Sequence, residues 1–110
     1  MSDATNKLGV LLSTGPGTVG FERGLGAAIA GVEAGRRVFV YCIDDAVSGL
    51  EDSRMQLIRS KGAVVYACAY GAHQRGIAVS DRAVFGGLGL LGDLLAGTDE
   101  FVDGNQGGWR

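Results

Sequence analysis

The sequence predicts a three-layer α/β/α single domain on a mostly parallel sheet of about five strands. Three observations carry that prediction. Short apolar runs alternate along the chain with segments of helical periodicity, the pattern of strand–helix–strand units. The runs are apolar throughout rather than at every second residue, as in parallel strands buried on both faces. The length of 110 residues suits one domain, 1–110, with one core.

The elements follow in order. Residues 7–13, KLGVLLS, read as a buried strand. Residues 19–34 read as a helix, with Phe21, Leu25, Ala28, Ile29 and Val32 at helical spacing and Gly35 as its stop. Residues 37–43, RVFVYCI, are β-branched and aromatic and form a second strand, ended by Asp44 and Asp45. Residues 51–60 form a second helix with Met55, Leu57 and Ile58 as its apolar stripe, closed by Lys61-Gly62. Residues 63–68 are a third strand, and a short helix over 70–74 stops near Gly76. Residues 83–85 are a short fourth strand. A helix over 87–96 follows, dominated by Leu88, Leu90, Leu91, Leu94 and Leu95, and residues 100–103 close the sheet. Residues 1–6 and 104–110 are expected to be mobile tails unless Trp109 docks.

Composition narrows the function classes. The net charge is -2 and no run of Lys or Arg stands out, so no basic face for nucleic acid is expected. No apolar run approaches the roughly 18 residues that span a bilayer, so no membrane association is expected. The start MSDATNK has no cationic segment followed by an apolar one, which predicts no signal peptide. The expectation is therefore a cytoplasmic protein whose Cys42 and Cys68 are reduced thiols. There is no C-x-x-C, no H-E-x-x-H and no G-x-S-x-G. Neither a metal nor a cofactor nor a serine nucleophile is expected.

Two places carry candidate chemistry. Gly15-Pro16-Gly17-Thr18-Val19-Gly20 matches G-x-G-x-x-G between a strand and a helix. Such a loop can cradle a pyrophosphate at the helix start, with Asp44 or Asp45 on a ribose hydroxyl. Three facts stand against it. A dinucleotide fold needs two mononucleotide halves, Pro16 removes an N–H donor, and a chain with 20 glycines matches glycine patterns by chance. The plainer reading gives these glycines to turn geometry and close helix–strand packing. A nucleotide- or anion-binding module stays as the alternative.

The second place is Cys68, where the third strand ends and a short helix begins. Ligands collect at the carboxyl ends of parallel strands, and free N–H groups at a helix start stabilise a thiolate. The sulfur is expected to be exposed at a sheet edge. His73 and Arg75 follow closely, though spacing does not say whether either faces the sulfur. The plain alternative makes Cys68 a small buried hydrophobe, and Cys42, inside an apolar run, reads as core. Arg23, Arg36, Arg37, Arg54 and Arg59 are scattered and read as solvated helix faces or strand edges.

The run CAYGAHQRGI, residues 68–77, resembles the segment around the active cysteine of the DsrE/TusD-like (DsrEFH) sulfurtransferase family. GLGLLGDLL at 87–95 followed by TDEFV at 98–102 resembles that family's GL-x-x-L helix and closing D-x-V-V strand. The likeness spans most of residues 7–102, is looser in the first half, and leaves the tail GNQGGWR beyond the family's usual end. It implies a small α/β subunit that carries sulfane sulfur as a persulfide on Cys68. It further implies assembly into homo- or hetero-oligomeric trimers or hexamers, and exchange of sulfur with TusA-like carrier proteins, in tRNA thiolation or sulfur oxidation. Some relatives lack the cysteine and serve as structural subunits; this chain retains it.

Overall fold

The computed structural model describes residues 6–87, 89–105 and 107–108, and only the backbone of residues 90, 91, 94 and 95. In order along the chain come β1 (Lys7–Leu12), α1 (Val19–Glu33), β2 (Arg37–Cys42), a 3-10 helix (Asp44–Glu51) and α2 (Ser53–Ser60). They are followed by β3 (Val64–Cys68), α3 (Ala69–Gln74), β4 (Val84–Gly86), α4 (Gly89–Gly97), β5 (Glu100–Asp103) and β6 (Gly107–Gly108). The strands form one sheet in the order β4-β3-β2-β1-β5-β6. β1 to β5 are mutually parallel, and the two-residue β6 adds antiparallel to β5. The expected α/β architecture is present.

The chain steps outward from β1 through β2 and β3 to β4, then returns past all of them to β5. Parallel crossovers are right-handed. The outward steps therefore put α1, the 3-10 helix, α2 and α3 on one face, and the return step puts α4 on the other. Strand side chains divide accordingly. Leu8, Val10, Leu12, Val38, Val40, Cys42, Val65 and Ala67 pack with Phe21, Leu25 and Ala28 of α1 and with Val47, Met55, Ile58 and Ala72. The residues between them, Leu11, Phe39, Tyr41, Tyr66, Cys68 and Phe101, form a second cluster on the opposite side.

Helix α1 lies close to the sheet. Thr18 caps it by accepting from the Phe21 N–H at 3.2 Å, and Gly20, Gly24 and Gly31 are buried on its inner face. A Cβ on Gly31 would come within 2.8 Å of Leu8 and 2.9 Å of Val38, closer than carbon atoms pack. Glycine is what lets this helix approach β1 and β2.

The structure departs from the sequence reading in three places. Residues 44–51 form a 3-10 helix rather than a strand end and loop. Asp44 enters it at a φ of +49°, a conformation that Asp tolerates, and the Ser48 hydroxyl donates to the Asp45 carbonyl at 2.7 Å. Ala46, Val47 and Leu50 are thereby buried. Helix α2 starts at Ser53, where the Asp52 carboxylate accepts the Arg54 N–H at 2.9 Å. It turns Met55 and Ile58 inward and leaves Leu57 53% exposed. β4 and α4 begin one and two residues later than expected, and the leucine stripe of α4 lies outside the described side chains.

The two ends of the described chain are hydrogen-bonded to the sheet and its loops. Asn6 is tied down, its carbonyl accepting from the Arg37 N–H at 3.1 Å. Gly104 is buried beneath Gly20, and its N–H donates to the Leu11 carbonyl at 3.0 Å. The Asn105 amide donates to the Ser13 hydroxyl at 2.8 Å. Asn6, Gly104 and Asn105 thus make hydrogen bonds at the inner ends of the two segments read as tails. Residues 1–5, 106, 109 and 110, and with them the question of Trp109, lie outside the described residues.

The packing of α1 makes a testable contrast. Gly31→Ala is expected to lower the unfolding free energy by roughly 1–3 kcal/mol through overpacking. Gly26→Ala, on the same helix with nothing within 4 Å of the added carbon, is expected to raise it by about 0.5–1 kcal/mol. Urea unfolding of the two variants measures both signs.

Candidate functional site

Alternation along β3 decides where its thiol points. Val65 and Ala67 face the helical core, so Tyr66 and Cys68 face the other side. At Cys68 the chain is still extended, with φ -71° and ψ 118°, and the residue is the N-cap of α3. Its Sγ accepts the Gly71 N–H at 3.4 Å. This is the strand-end, helix-start position expected from the sequence. The expected exposure is not found: Cys68 keeps 7% of its surface. β3 is one strand in from the edge, and Gly86 of β4 pairs directly beside Cys68.

The neighbouring charges are not aimed at the sulfur. Arg75 donates to the Asp45 carboxylate at 3.0 Å and to the Gly71 carbonyl at 3.2 Å. His73 is exposed on the last turn of α3 and has no hydrogen bond to Sγ among the described residues. Tyr70 projects into solvent beside the site, 68% exposed, and accepts from the Gln74 amide at 2.9 Å. The scattered arginines are engaged rather than merely solvated: Arg36 bonds Glu100 at 2.7 Å, Arg23 the Gly104 carbonyl at 3.2 Å, and Arg37 stacks over Phe39.

Tyr41 is the residue that sequence reasoning missed. It lies in the same cluster as Cys68 and is wholly buried. Its hydroxyl donates to the Gly87 carbonyl at 2.6 Å. Burial raises its pKa, and the charge of Cys68 raises it further. In sequence Tyr41 is one aromatic among several in a strand, and nothing local marks it. Cys42 is the opposite case. It faces the helices, and burial alone pushes its thiol up to about 12. The two cysteines lie on opposite faces of the sheet and both are free.

The loop at residues 15–20 is organised around itself. Thr18 donates to the Gly15 carbonyl at 2.8 Å, and Gly17, at φ +90°, donates its N–H to the Glu22 carboxylate at 3.3 Å. That carboxylate occupies an N–H a phosphate would need and places negative charge at the helix start. Arg54 grips both Glu22, at 2.6 Å, and Asp52, at 2.8 Å. Its hydrogen bonds hold both carboxyls below their ordinary range. Asp45 abuts Gly15, but its carboxylate is turned to Arg75. A groove of about 480 Å³ lies between α2 and the β4 edge, lined by residues such as Gln56, Ser60, Asp81 and Val84. It reaches neither Cys68 nor the loop.

Among the described residues no cluster of His, Cys, Asp and Glu could hold a metal ion. No described helix is long and apolar enough to cross a membrane.

The fold is shared with a solved structure. The crystal structure of the ychN protein from E. coli superposes with a TM-score of 0.77 over 86% of this chain and 96% of that one, at 18% identity. The likeness is one of fold: the two chains share this α/β architecture. No protein-family model matches the chain, and no curated protein does.

Two outcomes follow from these environments. Alkylation of the folded protein near pH 8 is expected to modify Cys68 before Cys42, with Cys42 reacting only after unfolding, as peptide mass mapping reads. The Glu22 and Asp52 pKa values are lowered by folding, so the stabilisation they give is present above the ordinary carboxylate range and is lost as pH falls through the folded values. The drop in Tm between about pH 5 and about pH 3 is therefore expected to be smaller in Arg54→Ala than in the wild type.

Proposed function

We propose that the protein is a sulfurtransferase, or sulfur carrier, that holds sulfane sulfur as a persulfide on Cys68 and passes it to a partner protein. One observation carries this reading. Of the two thiols, one is sealed inside the helical core, and the other stands at the carboxyl end of a parallel strand with a backbone N–H on its sulfur. The resemblance of residues 68–77 to the segment around an active cysteine, and the DsrE-like fold, support the same assignment.

The chemistry needs no cofactor. The Cys68 thiolate attacks the terminal, sulfane sulfur of a donor persulfide. A new S–S bond forms, the donor's S–S bond breaks, and the donor cysteine departs as a thiolate. The sulfane sulfur keeps its proton and carries it to the Cys68 persulfide. The acceptor's thiolate then repeats the step on the Cys68 persulfide and releases the Cys68 thiolate. Two electrons move with each bond exchange and none are gained or lost overall. When the sulfur is negative, the Gly71 N–H supplies a donor to it. One cysteine suffices because each partner supplies the other.

The partners are carrier proteins of the TusA-like kind, the setting is a reducing one such as the cytoplasm, and the subunit works in a trimeric or hexameric assembly. Incubation with a small persulfide donor is expected to add about 32 Da, one sulfur atom, to the wild type and to Cys42→Ser, and nothing to Cys68→Ser. A wild type that stays unmodified with several donors overturns the proposal.

A further inference from the structure

Tyr41 has no part in the transfer as written, yet it makes a long bond through the thiol's surroundings. Its hydroxyl reaches the Gly87 carbonyl, 46 residues away. Tyr41 is on β2 and Gly87 follows β4, with β3 between them. Adjacent strands lie about 4.8 Å apart, so β2 and β4 are separated by about 10 Å. A phenol that joins them must lie across the face of β3. Register says where it crosses. Tyr41 stands opposite Tyr66, whose ring is 6.2 Å away, and Gly86 stands opposite Cys68. The bond from Tyr41 to Gly87 therefore runs diagonally over the last residues of β3, on the face that carries Cys68.

The far end of this bond matters as much. β4 has three residues, and its end at Gly86 and Gly87 carries no side chain of its own to anchor it. The effect of Cys68's charge on Tyr41 places the two groups within electrostatic reach of one another. We infer that Tyr41 is a positioning residue for Cys68: its hydroxyl pins Gly87, just past the end of β4, across the thiol face and sets how far Cys68 can be reached from solvent. The inference rests on the sulfur-transfer reading only for the identity of the incoming group; the pinning itself is readable with a neutral alkylating reagent.

Tyr41→Phe keeps the ring and its packing and removes the donor, while the Gly87 carbonyl it leaves belongs to an exposed residue that water can satisfy. Both proteins would be treated with iodoacetamide at pH 8, and the two cysteines quantified separately by peptide mass spectrometry. Cys68 is expected to react about fivefold faster in the variant, the change that one net hydrogen bond corresponds to, with Cys42 unchanged. Cys42 is the internal control, because general loosening would expose both thiols together. Unchanged Cys68 labelling, or a parallel rise at both cysteines, overturns the inference. If the variant does not fold, wild type carbamidomethylated at Cys68 gives the same test. On this inference the added group displaces the phenol, so amide exchange at Phe85, Gly86 and Gly87 is expected to accelerate, and unchanged exchange overturns the inference. Selective labelling in Tyr41→Phe, together with a wild type that accepts no sulfane sulfur, would leave the positioning role standing and remove the sulfur reading.

Discussion

The register of β3 against its neighbours is the constraint on which the site depends. Side chains alternate with a period of two, so a slip of one residue would turn Cys68 into the helical core and Ala67 out of it. Nothing in Val64–Cys68 alone forbids the slip, since all five residues are small or apolar enough for either face. The register is held from outside. Val65 and Ala67 fit against the helices that the right-handed crossovers bring to one face, and Tyr66 meets Tyr41 on the other. The chemistry of a single sulfur thus depends on the handedness of the whole winding.

The same winding explains the glycines. Three crossover segments share one face, so α1 must sit close to β1 and β2, and it does so through Gly20, Gly24 and Gly31. The loop before it then needs one left-handed residue, Gly17, and a carboxylate at the helix start. Glu22 serves there as an anion at the positive end of the helix, in the place a bound phosphate would take. The fingerprint-like spacing is a by-product of close packing, and its own acidic residue opposes the ligand that the spacing suggests.

Much of this was legible from residue order. The strands and α1 are uniform in period, and Gly35, Gly62 and Gly76, all at positive φ, mark the ends of helices as their sequence positions suggest. Cys68 at a strand end and helix start could be read for the same reason. The misses share a cause. The 3-10 helix hides because Asp-Asp and Ser-Gly have the local chemistry of a loop, while its burial depends on Phe21 and Gly71 from elsewhere. Spacing left the direction of Arg75 open because its partner Asp45 is 30 residues away. The burial of Cys68, open in the sequence as the plain alternative, could not be decided there, since it involves β4 beside it and Tyr41 from β2. Local pattern fixes the backbone path; contacts across the sheet decide which groups are available.

Partial burial is also what sulfur-relay chemistry asks of a thiol. A persulfide left open to solvent would pass its sulfur to any small thiol it met, and a thiol sealed like Cys42 could not be loaded. A carrier must lie between those limits, and its access must change when the right partner arrives. The Gly71 N–H can stabilise charge on the sulfur, but it cannot discriminate between an encounter with glutathione and one with a protein donor. Discrimination has to come from whatever covers the sulfur. On the inference drawn from the structure, that cover is the end of β4, held at Gly87 by the Tyr41 hydroxyl. A small thiol offers too little surface to shift it, whereas a docked protein, bearing on the exposed Tyr70 two residues beyond Cys68, brings enough contact to do so. Control of access, rather than the reactivity of the cysteine alone, is therefore where such a subunit acquires its specificity.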